Sequence, residues 1–252
     1  MSYTFGDDER AARRLAQVAR VFEPPSSAFL AEHGSADPRD GVALDLGCGP
    51  GYTTEMVARV VACARCIGMD SSEAYVASAR RRAPDCEFVH HDVLDTPWPT
   101  PTPDLVYARF LVSHLTDAGA ALETFRSQLA PGGRVLLDEV EHIESDAEPF
   151  RRYLALVEAV LDSQGQCLYV GSRLAELASA SARVNVVRTH AVDPRDAAVM
   201  FALNWETLRE HEAIARRTTP AERAALAEEL SALRVGDGPS ITWTLRQVVL
   251  EA

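Results

Sequence analysis

The sequence predicts an α/β fold on a largely parallel sheet, and three observations predict it. An apolar run, Val42-Ala43-Leu44-Asp45-Leu46, passes into glycines at alternating positions, Gly47, Gly49 and Gly51, and a helical stretch starts straight after them. Strand-type and helix-type segments alternate from Val42 onward, an order that right-handed crossovers turn into parallel strands. The chain has 252 residues, 47% of them hydrophobic, which suffices for a single core with a sheet covered on both faces.

The elements follow in order. Ala11, Leu15, Val18 and Phe22 repeat at helical spacing and predict a helix over 8–22; Pro24-Pro25 is expected to break it, and 26–33 to form a second. After the glycine turn come an alanine- and valine-rich helix and a second strand, Cys66-Ile67-Gly68-Met69-Asp70. A third strand over 86–91 runs into Asp92-Val93, and a fourth with its exit covers 103–110. A fifth strand follows Leu129-Ala130-Pro131-Gly132-Gly133, and past it the alternation stops. Segments 148–162, 172–180, 194–216 and 220–233 read as helices, 183–192 as a sixth strand and 241–250 as the last. The expected organisation is N-terminal cap helices over 1–40, a binding core over 41–141, and cap insertions with the last two strands of the same domain over 142–252.

Glycine lacks a Cβ, so the chain reverses tightly at this turn and a ligand can lie against the backbone itself. A dinucleotide fingerprint would place a small residue where Tyr52 stands, and Asp45 inside the strand would do nothing for a pyrophosphate. An acid beside the turn suits a cationic ligand. Asp70 lies about 20 residues past the turn, the offset at which a carboxylate reaches a ribose.

The run Leu44-Asp45-Leu46-Gly47-Cys48-Gly49-Pro50-Gly51 resembles motif I of the class I S-adenosylmethionine (SAM) dependent methyltransferases, whose cofactor carries an ammonium and a sulfonium and no phosphate. The resemblance is close over 41–141, and the third, fourth and fifth strands fall where it requires them. It implies a Rossmann-like, seven-stranded, mostly parallel doubly wound sheet with an antiparallel last strand at the edge and a helical cap from the N-terminus and insertions. It implies SAM as cofactor, held by Asp45, Gly47, Cys48 and Gly49 at the turn and by Asp70 and the adjoining Ser71 at the ribose. Asp92 would take the adenine amino group, Val93 would pack on the ring, and Arg109 would flank the methionine end.

Charge and composition narrow the partners. Lys+Arg 25 against Asp+Glu 37 gives a net charge of -12, so the average surface repels nucleic acid and anionic membranes. The cluster Arg80-Arg81-Arg82 closes a predicted helix, where the helix dipole accounts for it. The chain contains no lysine, which excludes Schiff-base chemistry. Five cysteines, an odd number, support reduced thiols, and the N-terminus shows neither a basic start nor an apolar stretch, so a cytoplasmic monomer or homodimer is expected. Cys63-Ala-Arg-Cys66 lacks a second pair for zinc, and His90-His91-Asp92 puts its imidazoles on opposite faces of a strand, so no metal is expected.

The implied reaction is methyl transfer to O, N or C of a small organic molecule, with natural-product biosynthesis as the setting. Alignment of acceptor and methyl can contribute roughly 7 to 11 kcal/mol, more than a single general base, so no base is required. The candidates for one are His114, just past the fourth strand, and Glu139, Glu141 and His142, after the fifth. Tyr3, Phe5, Phe22, Tyr153, Tyr169, Phe201 and Trp205 could line an apolar acceptor pocket or anchor the cap. Two other readings of the same residues stay open: a SAM-binding fold that catalyses cyclisation or elimination, and a non-catalytic SAM-binding protein.

Overall fold

The computed structural model describes residues 6, 9–37, 39–178, 182–234 and 240–252. Strands β1 (Val42–Leu46), β2 (Arg65–Asp70), β3 (Glu87–His90), β4 (Leu105–Arg109), β5 (Arg134–Ser145), β6 (Ala182–Val192) and β7 (Ile241–Glu251) form one seven-stranded sheet in the order β3-β2-β1-β4-β5-β7-β6. β1 pairs in parallel with β2 and β4, β2 with β3, and β4 with β5. β7 runs antiparallel to both neighbours, β5 and β6.

β7 is therefore not the edge strand the sequence suggested; β6 is. The side chains explain the exchange. Leu245, Gln247, Val248, Val249 and Leu250 of β7 are all buried, whereas β6 leaves most of its residues at least partly open to water. A polar strand carrying Arg183, Asn185 and Arg188 suits an edge, because charged side chains there deter pairing with another chain.

The helices are α1 (Glu9–His33), α2 (Tyr52–Val61), α3 (Glu73–Arg82), α4 (Ala118–Ser127), α5 (Glu148–Ser163), α6 (Val170–Leu177), α7 (Pro194–Leu208), α8 (Glu212–Ala215) and α9 (Pro220–Ala232), with a 3-10 turn at Val112–His114. Two differ from expectation. α1 does not break at Pro24-Pro25 but runs through both prolines. Pro25 has no N–H for the Val21 carbonyl one turn back, and the His190 ring nitrogen on β6 meets that carbonyl at 3.0 Å instead. The predicted helix over 194–216 divides, because the His211 side chain accepts from Ala213 N and caps α8. Residues 179 and 180 of the predicted helix over 172–180 lie outside the described residues.

One face of the sheet packs Leu44, Leu46, Val106 and Leu137 against Phe125 of α4, and the other packs Ala43, Tyr107 and Leu136 against α2 and the Phe29-Leu30 end of α1. A third cluster joins α1, α5, α7 and the outer parts of β5 and β7. Pairing of β4 with β5 stops at Arg109 and Asp138, while β5 continues against β7 to Ser145. This projecting ribbon is the wall against which the cap closes. No helix among the described residues is long and apolar enough to cross a membrane.

Candidate functional site

A cavity of about 320 Å³ lies beyond the carboxyl ends of β1 to β4, between the glycine turn and the cap. Gly47, Gly49 and Gly51 have φ of 64°, 52° and 85°, a region that favours glycine. A Cβ on Gly47 would come 2.8 Å from Leu111 Cδ1, and one on Gly51 2.9 Å from Ala79 Cβ. Arg82, stacked 4.0 Å over the Tyr52 ring, donates to the Pro50 and Gly51 carbonyls and holds the turn from behind. The basic end of α3 thus serves the turn as well as its own helix dipole.

Gly47, Cys48, Gly49, Asp70, Ser71, Asp92, Val93 and Arg109 all line the cavity. Asp70 Oδ2 accepts from Gly49 N and Oδ1 from Ser72 N, both at 2.8 Å, so one carboxylate joins the turn to the end of β2. Asp92 Oδ1 accepts from Leu94 N. Asp45 is absent from the lining. It is buried, accepts from the Thr53 and Thr54 hydroxyls at 2.6 and 2.7 Å, and burial raises its pKa to about 6. It anchors the start of α2. Burial also pushes the Cys48 thiol far up. Arg109 donates to Ser26 Oγ, which donates to the buried Asp138, a residue that no sequence motif singles out.

The four proposed proton carriers separate. His114 lines the cavity, and burial, with the nearby Arg14 charge, lowers its pKa to about 3, so it is neutral at pH 7. Glu139, Glu141 and His142 are not in the lining. Glu139 Oε1 accepts from Leu111 N and Val112 N, both at 2.7 Å, and fixes the exit of β4; burial raises its pKa to about 8, and among the described residues Oε2 has no partner. Glu141 sits at a bulge in β5 and makes a fork with Arg246 at 2.8 and 2.7 Å.

Of the aromatic candidates, Phe22, Tyr153 and Phe201 reach the cavity. Tyr169 and Trp205 do not; Trp205 is buried and donates to Arg223 O. Tyr3 and Phe5 lie outside the described residues. The cavity also takes in Arg14, Gln166, Asn204 and Trp243. Arg14 stands four and eight residues before Val18 and Phe22 on α1, a cation in line with an apolar stripe, and that signal could have found it. Asn204 and Trp243 carry no comparable signal. Among the described residues no group of three His, Cys, Asp or Glu is placed to hold a metal ion. The His90 and His91 rings meet the carbonyls of Ser71 and Asp95, and Cys66 Sγ donates to Thr54 O.

Comparison with known proteins agrees with this geometry. A family model described as a methyltransferase domain matches residues 43–133. The chain is 34% identical over 199 residues to a trans-aconitate 2-methyltransferase of Methylobacterium radiotolerans, covering 74% of this chain and 70% of that protein. Several similar relatives of the same description are matched over 43% to 61% of their length, so the chain spans less than two thirds of most of them. Among solved structures, phosphoethanolamine N-methyltransferase 2 of Haemonchus contortus in complex with S-adenosyl-L-methionine aligns with a TM-score of 0.54 at 18% identity, over 89% of this chain and 52% of that one. The [4+2]-cyclase SpnF aligns with a TM-score of 0.52 at 21% identity, over 88% of this chain and 79% of that one. At these identities the structural likenesses show the fold alone.

Proposed function

Because the chain belongs to the class I SAM-dependent methyltransferases, we propose that it transfers a methyl group from SAM to O, N or C of a small organic molecule. The supporting observation is one continuous cavity that joins the glycine turn, Asp70 and Asp92 to a largely apolar cap. A capped cavity supports a small acceptor over a polymer, and a tailoring step in natural-product biosynthesis is the setting this reading extends to.

The residues present fit the cofactor. Gly47 and Gly49 leave the backbone open where a side chain would intrude or require a strained φ. Asp70 accepts from two backbone N–H groups and faces the cavity, where its carboxylate would take ribose hydroxyls; Asp92 faces the same cavity and would take an amino group. When bound, SAM supplies an electrophilic methyl on a sulfonium. The chain's own part is to orient and to exclude water. Glu139 holds the backbone at Leu111 and Val112, and the apolar cap keeps water from the acceptor. His114, with a pKa near 3, is a weak proton acceptor, so alignment is the main contribution.

The test is incubation with SAM and a panel of small acceptors, measuring S-adenosylhomocysteine and product mass together. Methyl transfer gives one S-adenosylhomocysteine per product, heavier by one methylene. An acceptor rearranged without S-adenosylhomocysteine would replace this reading with cyclisation or elimination, which the shared fold with a cyclase does not decide.

A further inference from the structure

The relatives' names specify trans-aconitate, a tricarboxylate, yet the cavity is not built for three negative charges. Among the described residues its charged lining is Arg14 and Arg109 against Asp70 and Asp92, and His114 is neutral at pH 7. Arg109 is already engaged with Ser26 and lies close enough to Asp45 and Asp138 to favour their ionised forms. No net positive charge is left for a trianion, whose desolvation would go uncompensated.

The cap side instead presents aromatic surface. Phe110, Phe22, Trp243, Phe201 and Tyr153 all line the cavity and touch in sequence, with ring centroids 5.0, 5.5, 5.7 and 4.2 Å apart. Within this apolar wall sits one polar pair. Tyr153 on α5 and Asn204 on α7 are 3% and 4% exposed, and Asn204 Nδ2 donates to the Tyr153 hydroxyl at 2.5 Å. Among the described residues, Asn204 Oδ1 is buried with no partner. Such a group is costly and calls for an explanation. Exchanging the two ends of the amide would satisfy the oxygen and leave the two N–H groups to be met instead. In either orientation the pair has hydrogen-bonding capacity to spare, and a hydroxyl, donor and acceptor at once, satisfies both.

We propose that the acceptor is an uncharged ring compound bearing a hydroxyl, with the rings against the Phe22–Trp243–Phe201 wall and the hydroxyl on the Tyr153–Asn204 pair. The reaction it undergoes rests on the methyltransferase reading; the seat itself does not.

The probes are 2-naphthol, naphthalene and trans-aconitate, titrated into the full chain by tryptophan fluorescence, with SAM titrated separately. Wild type should bind 2-naphthol at least about tenfold more tightly than naphthalene, and trans-aconitate more weakly than either. In Tyr153→Phe/Asn204→Leu both polar partners become apolar groups of similar shape, which is near neutral for folding. The double variant should keep SAM affinity while the naphthalene to 2-naphthol ratio falls to about one. Asn204→Leu alone should lower that ratio at least threefold. An unchanged ratio in both variants, no preference in wild type, or tighter binding of trans-aconitate would overturn the seat. Failure of SAM to bind while the 2-naphthol preference persists would remove the reaction and leave the seat standing.

Discussion

Asp70 does two jobs with one carboxylate: it ties the glycine turn to β2 and faces the cavity. Charge-assisted hydrogen bonds of this kind contribute roughly 1.5 to 3 kcal/mol. Asp70→Ala is expected to weaken SAM binding by about ten- to a hundredfold in a calorimetric titration, with the far-ultraviolet dichroism of the fold retained. Glu139 gives a prediction of different sign. Its pKa is about 8 in the fold against 4.5 for a free glutamate, so between these values the folded chain holds a proton that the unfolded chain has released. Its contribution to stability is whole below the unfolded pKa and is lost as pH rises through the folded one. Glu139→Gln has no proton to lose, so its melting temperature should match wild type near about pH 5 and exceed it near about pH 9, checked by calorimetry across that range. Of the cavity-lining acids, Asp70 was legible from its offset past the glycine turn, and Asp92 from the family resemblance at the end of the third strand. The part Glu139 plays was not, since the backbone it holds lies 28 and 27 residues earlier and only pairing of β4 with β5 brings the two together.

Among the elements, α1 shows how a remote partner overrides a local rule. Two adjacent prolines ordinarily end or kink a helix, and nothing near them in sequence says otherwise. The partner of the Val21 carbonyl arrives from 169 positions away, on an edge strand that joins the sheet only through β7. His190→Ala leaves that carbonyl without its partner and should cost about 1 to 3 kcal/mol, read as a lower denaturation midpoint with unchanged slope. Pro25→Ala restores an N–H to the helix, so Pro25→Ala/His190→Ala should recover most of the loss; additive effects of the two substitutions would dismiss the substitute bond. The strands of the parallel half were readable from their apolar runs and glycine punctuation. The order at the far end was not, because which of β6 and β7 lies inside is decided by burial on both faces, and alternation along a strand reports one face at a time.

For the molecule as a whole, cofactor and cap close on one cavity, so binding should register as global stability. At a hundredfold excess of SAM over its dissociation constant the folded state gains about 2.7 kcal/mol. For a chain of this size each kcal/mol moves the midpoint by about 2 to 4 °C, so a thermal scan should shift upward by about 5 to 11 °C. A shift confined to part of the transition would mean that the cap melts independently of the sheet. The position of β7 has one more consequence, which concerns synthesis on the ribosome. β1 to β5 emerge in an order that lets each join a neighbour already made, but β6 pairs with β7 alone among the strands, and β7 follows it in the chain. Until the segment from Ile241 emerges, β6 has nowhere to dock and the projecting half of β5 is an open edge. During translation the turn-bearing half of the sheet can therefore assemble early, while the wall of the cavity waits for its final strand and is the stage at which a chaperone would find exposed sheet to hold.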